Sequence, residues 1–331
     1  MRSASDTFSV SRSVTEPVPL VSILIPCYNA EGWVAEAVQS ALDQSHSPVE
    51  IVVVDDGSTD NSLQVLREFG DRIRLETGPN KGGNIARNRL LELSSGPWVQ
   101  YLDADDCLLP NKITEQVQFI RNQPDVDVVF GPSVMEYHEG ESTRREILVI
   151  PEPHDPWVLL ARWYLPQTGS PLWRREALLN VGQWKPDQPC CQEHELYLRL
   201  LRAGKTFEYC AHAGSVYRQW SEDTLCKKDK PEVLRRRLSI LEDTERHLEQ
   251  TGELTFDRRQ AINLARHESA RLIWMREPGW AREVMRVIRS SDPGFRPGGP
   301  AAPTLYRACY RLIGFQGAEM IASLKRRVLG A

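Results

Sequence analysis

Acidic residues are bunched at two points in the first third of this 331-residue chain. Asp55-Asp56-Gly57-Ser58 and Asp103-Ala104-Asp105-Asp106 together hold five carboxylates. Carboxylates gathered in one place repel each other unless a cation or hydrogen-bond donors compensate. Oxygen-only clusters suit hard divalent cations such as Mg²⁺ or Mn²⁺, and Mg²⁺ commonly completes its shell with phosphate oxygens. The chemistry suggested is therefore metal-assisted handling of a phosphorylated ligand. Two further polar clusters flank these, Pro26-Cys27-Tyr28-Asn29 and Asn80-Lys81-Gly82-Gly83-Asn84. Each has a plainer reading. Asp56-Gly57-Ser58 suits a tight turn capping a helix, Asp103–Asp106 a helix-entry turn, and Asn80–Asn84 a loop before a capped helix. Their occurrence together and in order favours a site.

The elements that must position these clusters can be read from periodicity. Val21–Ile25, Val49–Val54 and Trp98–Leu102 are short apolar runs ended by breakers or acids, and read as buried strands. Ile73–Glu76 reads as a further short strand. Residues 31–44, 62–69 and 84–93 carry apolar positions at helical spacing between them. Such alternation predicts an α/β fold built from βαβ units on a mostly parallel sheet. Ligands of such sheets bind outside the carboxyl ends of the strands. Three of the polar clusters fall at strand ends, so folding would bring them to one rim. Beyond residue 110 the pattern loosens to a helix over 110–123, a strand over 127–130, a Pro- and Trp-rich loop over 151–171 with a short helix at 157–163, and an amphipathic helix over 193–203.

At this level the chain is similar to the inverting nucleotide-sugar transferases of glycosyltransferase family 2, which have the Rossmann-like GT-A fold. The resemblance rests on Pro26-Cys-Tyr-Asn29, Asp55-Asp-Gly-Ser58, Asn80-Lys-Gly82, Ala86-Arg-Asn88 and Leu102-Asp-Ala-Asp-Asp106, and covers roughly residues 20–220. It implies a nucleotide-diphosphate sugar donor, UDP-sugar being the first expectation, a glycan or lipid-linked acceptor, and Mn²⁺ or Mg²⁺ as cofactor. It further implies that Pro26, Tyr28 and Glu31 line the base and ribose pocket and that Asp56 accepts a hydrogen bond from the base. By the same resemblance Arg87 holds the nucleotide with Asn80 and Lys81 nearby, Asp103 sits by the ribose, and Asp105 ligates the metal. The family's base segment aligns with Gln192-Glu193-His194-Glu195-Leu196-Tyr197, which makes Glu193 the general base. Gln192 stands where the family usually has Glu. That departure keeps open an alternative, a catalytically impaired nucleotide-sugar-binding protein of the same fold. His194 is a rival base, and Glu193 and Glu195 could simply decorate a helix N-terminus. Gly169-Ser-Pro-Leu-Trp-Arg-Arg175 resembles the acceptor segment, where Trp157, Trp163, Trp173 and Trp184 could stack on sugars or be core. Arg218 could approach the diphosphate. A haloacid-dehalogenase-like phosphohydrolase, a further rival for Asp103-Ala-Asp105, would need its acidic motif on the first strand and Thr or Val at position 107, where Cys107 stands.

The remaining features bound the answer. A formal charge of −4 supplies no basic field for nucleic acid, which is not expected as a partner. No run approaches the roughly 18 apolar residues that span a bilayer. Seven scattered cysteines without a CxxC pair suggest neither zinc nor a disulfide framework, so the cytoplasm is the expected compartment. Residues 1–19 read as a disordered leader, 20–221 as the catalytic domain and 222–331 as a mostly helical C-terminal region. Within it, residues 304–329 mix apolar residues with Arg307, Arg311, Lys325, Arg326 and Arg327 against Glu319, a local charge of +4. Basic amphipathic helices of this kind lie on membranes or dock on a core, and peripheral contact at the inner membrane face through 304–331 is one expectation.

Overall fold

The computed structural model describes residues 17–139, 142–219 and 230–329. Most of the leader expected over 1–19, and the expected boundary at 221/222, lie outside the described residues. Strands β1 (Val21–Cys27), β2 (Val49–Asp55), β3 (Arg74–Thr77) and β4 (Trp98–Tyr101) form the heart of a seven-stranded sheet. With β6 (Val128–Phe130), β9 (Leu172–Arg174) and β10 (Phe207–Tyr209) its order is β10-β6-β9-β4-β1-β2-β3. Every pairing within it is parallel except those of β9, which runs antiparallel between β4 and β6.

The strand cores are apolar on both faces because helices cover both. On β1, Ile23 and Ile25 face one layer while Leu24 faces the other, and on β2 Ile51 and Val53 alternate with Val52 and Val54. That is the two-residue period of a strand buried on both sides. The first layer is closed by α1 (Val34–Leu42), through Val34, Ala37, Val38 and Ala41, and by Leu66 of α2 (Ser62–Arg67). The other is closed by α3 (Gly83–Leu93), through Ala86, Leu90 and Leu91, and by α7 (Gln192–Arg202). Helix α4 (Lys112–Asn122) follows the second acidic cluster, and α5 (Pro156–Arg162) starts with Asp155 as cap, its carboxylate accepting from Trp157 N at 2.9 Å. Short α6 (Arg175–Asn180) follows β9.

Periodicity did not anticipate a second, four-stranded sheet of order β5-β11-β7-β8, built from β5 (Cys107–Leu108), β7 (Ser133–Glu139), β8 (Ser142–Leu148) and β11 (Ser215–Gln219). Beyond it, α8 (Lys230–Thr251) and α9 (Phe256–Trp274) do not form a core of their own. Ile240, Leu241, Leu248, Ile262 and Ala265 share one apolar cluster with Leu90, Tyr101 and Leu196. Helix α10 (Pro278–Ser291) and α11 (Thr304–Leu329) pack on the far side of α9, and α11 is broken at Gly314, whose φ is 70°. Among the described residues no helix is long and apolar enough to cross a membrane.

Candidate active site

The chain runs from β1 outward to β2 and β3, then returns to the other side of β1 with β4. The order therefore reverses between β1 and β4, and three parallel strand ends meet there. Cys27 is in register with Asp55, and Leu102 N donates to Leu24 O at 2.9 Å. A crevice is expected at such a switch point. It is present as a cleft of about 470 Å³ lined by Pro26, Tyr28, Trp33, Asp56, Asn80, Arg87, Asp103 and Asp105, among others.

The first two loops are tied to each other by the residues that made them conspicuous. Asn29 N donates to Ser58 Oγ at 3.0 Å, and Asn29 Oδ1 accepts from Thr59 N at 2.8 Å. Asn29 takes a left-handed φ of 49°, which Asn tolerates better than most side chains. Asp56 N donates to Cys27 O at 2.8 Å, and the Asp56 carboxylate accepts from Lys81 N and Gly82 N, both at 2.8 Å. Asp56 thus holds the third loop against the second. Gly57 has φ 74°, and a Cβ there would come within 2.6 Å of Asn80 N. The close approach of two loops demands glycine.

Arg87, on the buried face of α3, points into the cleft beneath these loops. Its Nη2 donates to Asp103 Oδ1 at 2.8 Å, its Nη1 donates to Gln192 Oε1 at 3.3 Å, and its guanidinium lies over Trp184 at 5.0 Å. Burial acts to lower its pKa, but the charges of Asp103 and Glu193 outweigh burial and leave it raised. The arginine stays cationic and links the second acidic cluster to the N-terminus of α7. Asp106 is buried beneath, accepts from Arg218 N at 2.9 Å, and is pushed well above the usual carboxylate range by burial and then by Asp105 and Asp103. Burial and Asp55 push the Cys27 thiol up to about 12, which removes it as a nucleophile.

Glu193 lies in the first turn of α7 and is half-buried. Thr168, fully buried, donates its Oγ1 hydrogen bond to Glu193 Oε1 at 2.6 Å. His194 is buried and stacks on Trp163 with centroids 3.7 Å apart, and burial, then Arg237, depress its pKa to about 3. A neutral, enclosed imidazole does not suit the role of rival base. The segment before α7 is anchored to α3. Asn84 Nδ2 donates to Lys185 O at 2.7 Å, while Asn88 exchanges bonds with Trp184 N and O at 2.9 and 2.8 Å.

Several residues sit away from the places expected of them. Glu31 is exposed outside the cleft lining, and its carboxylate accepts from Asn61 N at 2.8 Å. Lys81 lines the neighbouring depression with Asp55, Glu76 and Arg89. Arg218 is held by Glu36 and Glu136, and it stacks over Trp33 at 5.1 Å rather than entering the cleft. Trp157, Trp173 and Trp184 are core, between 0% and 6% exposed, which corrects the sugar-stacking option for these three. Trp33 and Thr168 were not anticipated, and Asn84 was noted only as the end of the Asn80–Asn84 cluster, without a role. Thr168 had a sequence cue as the residue immediately before the Gly169-Ser170 segment.

Among the described residues no three His, Cys, Asp or Glu side chains are grouped closely enough to hold a metal by themselves. The cleft nevertheless offers Asp105 beside Asp103 and an open face. That suits a cation bound through one or two carboxylates and completed by phosphate oxygens.

Residues 22–181 match the family described as Glycosyl transferase family 2. Over these residues the chain is similar to that family. Over 191 residues it is 32% identical to an uncharacterized glycosyltransferase of Rickettsia felis, covering 56% of this chain and 32% of that protein. It is also 36% identical over 121 residues to the putative teichuronic acid biosynthesis glycosyltransferase TuaG of Bacillus subtilis, covering 35% of this chain and 48% of that one. The chain spans less than half the length of these curated relatives. Residues 1–349 of S. aureus TarS, solved in complex with UDP-GlcNAc, superpose with a TM-score of 0.56 at 16% identity, covering 83% of this chain and 91% of that one. The fold is thus the GT-A glycosyltransferase fold, with helices added at the C-terminal side.

Proposed function

We propose that this family 2-like domain catalyses inverting transfer of a sugar from a nucleotide-diphosphate donor, a UDP-sugar first, to an acceptor hydroxyl in glycan or cell-envelope polysaccharide or glycolipid synthesis. The observation that carries this reading is the convergence on one cleft of Asp56, Arg87, Asp103 and Asp105, with Glu193 close enough for its charge to act on Arg87. Relatives named for teichuronic acid biosynthesis and as a chondroitin synthase support a polysaccharide product, and the UDP-GlcNAc complex of TarS supports a uridine donor.

In this reading Pro26, Tyr28 and Asp56 receive the base and ribose, and Asp103 fixes Arg87 towards the phosphates. Asp105 would hold Mn²⁺ or Mg²⁺ together with the donor diphosphate. That cation supplies Lewis-acid neutralisation of the leaving group, so no proton need be delivered to the leaving oxygen. Glu193, oriented by Thr168, takes the acceptor hydroxyl's proton as the acceptor oxygen bonds to the anomeric carbon. The carbon–oxygen bond to phosphate breaks on the opposite side, and the nucleoside diphosphate leaves with the electron pair. The proposed working place is the cytoplasm, at the inner membrane face.

Gln192 favours one alternative, a donor-binding protein that no longer transfers. It accepts from Arg87 but brings no charge to the base segment. A panel of UDP-, GDP- and dTDP-sugars tested with and without Mn²⁺ examines the donor site directly. A sugar nucleotide at about a hundred times its dissociation constant should raise stability by ~2.7 kcal/mol. Glu193→Gln should keep that stabilisation and lose transfer. Absence of metal-dependent stabilisation by every donor would overturn the transferase reading, whereas donor binding without transfer or donor hydrolysis would establish the alternative.

A further inference from the structure

Helix α11 accounts for only part of its own apolar surface. Tyr306, Phe315 and Ala318 are buried against α9 and its neighbours, with Phe315 edge-on to Trp274 at 5.5 Å and the Arg271 guanidinium 4.0 Å over Tyr306. That docking leaves six large apolar side chains in solvent. Leu305 is 65% exposed, Leu312 83%, Ile313 53%, Met320 66%, Ile321 47% and Leu324 63%. Scattered exposed leucines need no explanation, but a cluster on one element does.

The break at Gly314 turns this helix into a hairpin. Its ψ of −175° with φ 70° reverses the chain between Ile313 and Phe315, so Leu312 and Ile313 stand at the apex. On the second arm Met320, Ile321 and Leu324 lie at helical spacing on one face, away from buried Ala318 and Glu319. Between the arms lies an apolar cavity of about 250 Å³ lined by Leu305, Cys309, Ile321 and Ala322, with Lys325 at its edge. The charges are one-sided. Arg307, Arg311 and Lys325 are exposed, while Glu319, the only acid in 304–329, is fully buried and paired with Arg271.

We infer that this hairpin is a membrane-docking device that inserts its Leu312–Ile313 apex into an anionic lipid surface. An exposed apolar turn with Arg307 and Arg311 on the arm leading into it and Lys325 on the other, with the sole acid withdrawn, is complementary to anionic headgroups above acyl chains. A protein partner would have to place acidic groups opposite these cations, as charge complementarity at interfaces requires. The inference rests on the proposed working place at the inner membrane face and specifies how that contact would be made, but no hairpin residue lines the donor cleft, so it does not depend on the chemistry of transfer.

The test is flotation of the full chain with vesicles of mixed phosphatidylglycerol and phosphatidylcholine, and with phosphatidylcholine alone. Binding is expected to the anionic vesicles and to weaken with salt. Arg307→Gln and Arg311→Gln should each weaken it roughly fivefold. Leu312→Asn combined with Ile313→Asn should weaken it by about tenfold or more, because two apolar side chains lose their burial. All four positions are exposed, so melting temperature and metal-dependent donor binding should stay unchanged, which separates this outcome from failure at the donor site. Equal partitioning of the apex variant and the parent chain, or no binding to anionic vesicles, would overturn the inference. Loss of a concentration-dependent dimer in the apex variant, without lipid binding by the parent, would assign the patch to a second copy instead and equally overturn it.

Discussion

The hydroxyl of Thr168 lies 2.6 Å from the Glu193 carboxylate, and it reaches that carboxylate from a loop 25 residues earlier in the chain. Thr168 is fully buried and Glu193 half-buried, so the bond constrains which oxygen of Glu193 is left for an acceptor. Hydrogen bonds to charged groups contribute about 1.5–3 kcal/mol. Thr168→Val should therefore lower kcat by roughly ten- to a hundredfold at nearly unchanged donor affinity, and Thr168→Ser should recover most of it. Steady-state kinetics on the three proteins make the check. A parallel loss of donor binding would show Thr168 to be a general packing residue.

Arg87 makes three contacts at once, to Asp103, Gln192 and Asn84. The guanidinium spreads these bonds over two nitrogens, Nη1 and Nη2, a geometry that the single nitrogen of a lysine ammonium does not reproduce. Arg87→Lys should keep the charge yet weaken donor binding by about tenfold, the order expected for losing one charge-assisted bond. Titration calorimetry with a UDP-sugar and Mn²⁺ would measure it. Unchanged affinity would mean that charge alone, rather than the fork, matters at this position.

Gly57→Ala should damage the cleft without removing any polar group. The new Cβ would meet Asn80 N at 2.6 Å on a backbone already at φ 74°. Left-handed strain costs about 1–2 kcal/mol for a residue with a Cβ, and the clash adds to it. We expect a lower melting temperature together with weaker donor binding. A stability loss with full donor affinity would show that the second and third loops can part without opening the site.

Acid should destabilise the fold through buried imidazoles. His194 and His267 are both depressed to about 3, by burial and then by Arg237 and Arg271 respectively. Their unfolded forms take up protons near the ordinary value of about 6.5, whereas the folded forms refuse them, so between these values the unfolded state holds more protons. This contribution is complete above about pH 6.5 and is lost as pH falls towards 3, with a limiting slope near 1.4 kcal/mol per pH unit for each histidine. Urea unfolding at several points between about pH 7.5 and 5.5 should reveal that slope. His194→Asn should be less stable throughout, because it loses the stack on Trp163, but its slope should be shallower. An unaltered slope would mean that His194 titrates normally.

What the sequence by itself determined is what contiguous residues encode. Val21–Ile25 and Val49–Val54 are long enough to show a buried strand, and Asn29, Gly57 and Asp105 declare their turns through short-range chemistry. The family's motifs lie in those same segments, so most residues lining the cleft beside β1 were legible, while Glu31 and Lys81 fell outside it. Only the tertiary structure decided what depends on distant pairing. Strand β9 is three residues long and β5 two, too short to carry any period, and their place is set by neighbours far along the chain. The contact of Arg87 with Gln192 spans 105 residues. Trp173 and Trp184 look the same in sequence as sugar-stacking tryptophans, and burial on every side made them core. Helix α11 shows the same division. Its composition announced an amphipathic helix, while the turn at Gly314 and the packing of Tyr306 and Phe315 decided which apolar residues were left outside. Local propensity acts over a few residues, but which surfaces are withdrawn from water depends on the whole folded chain.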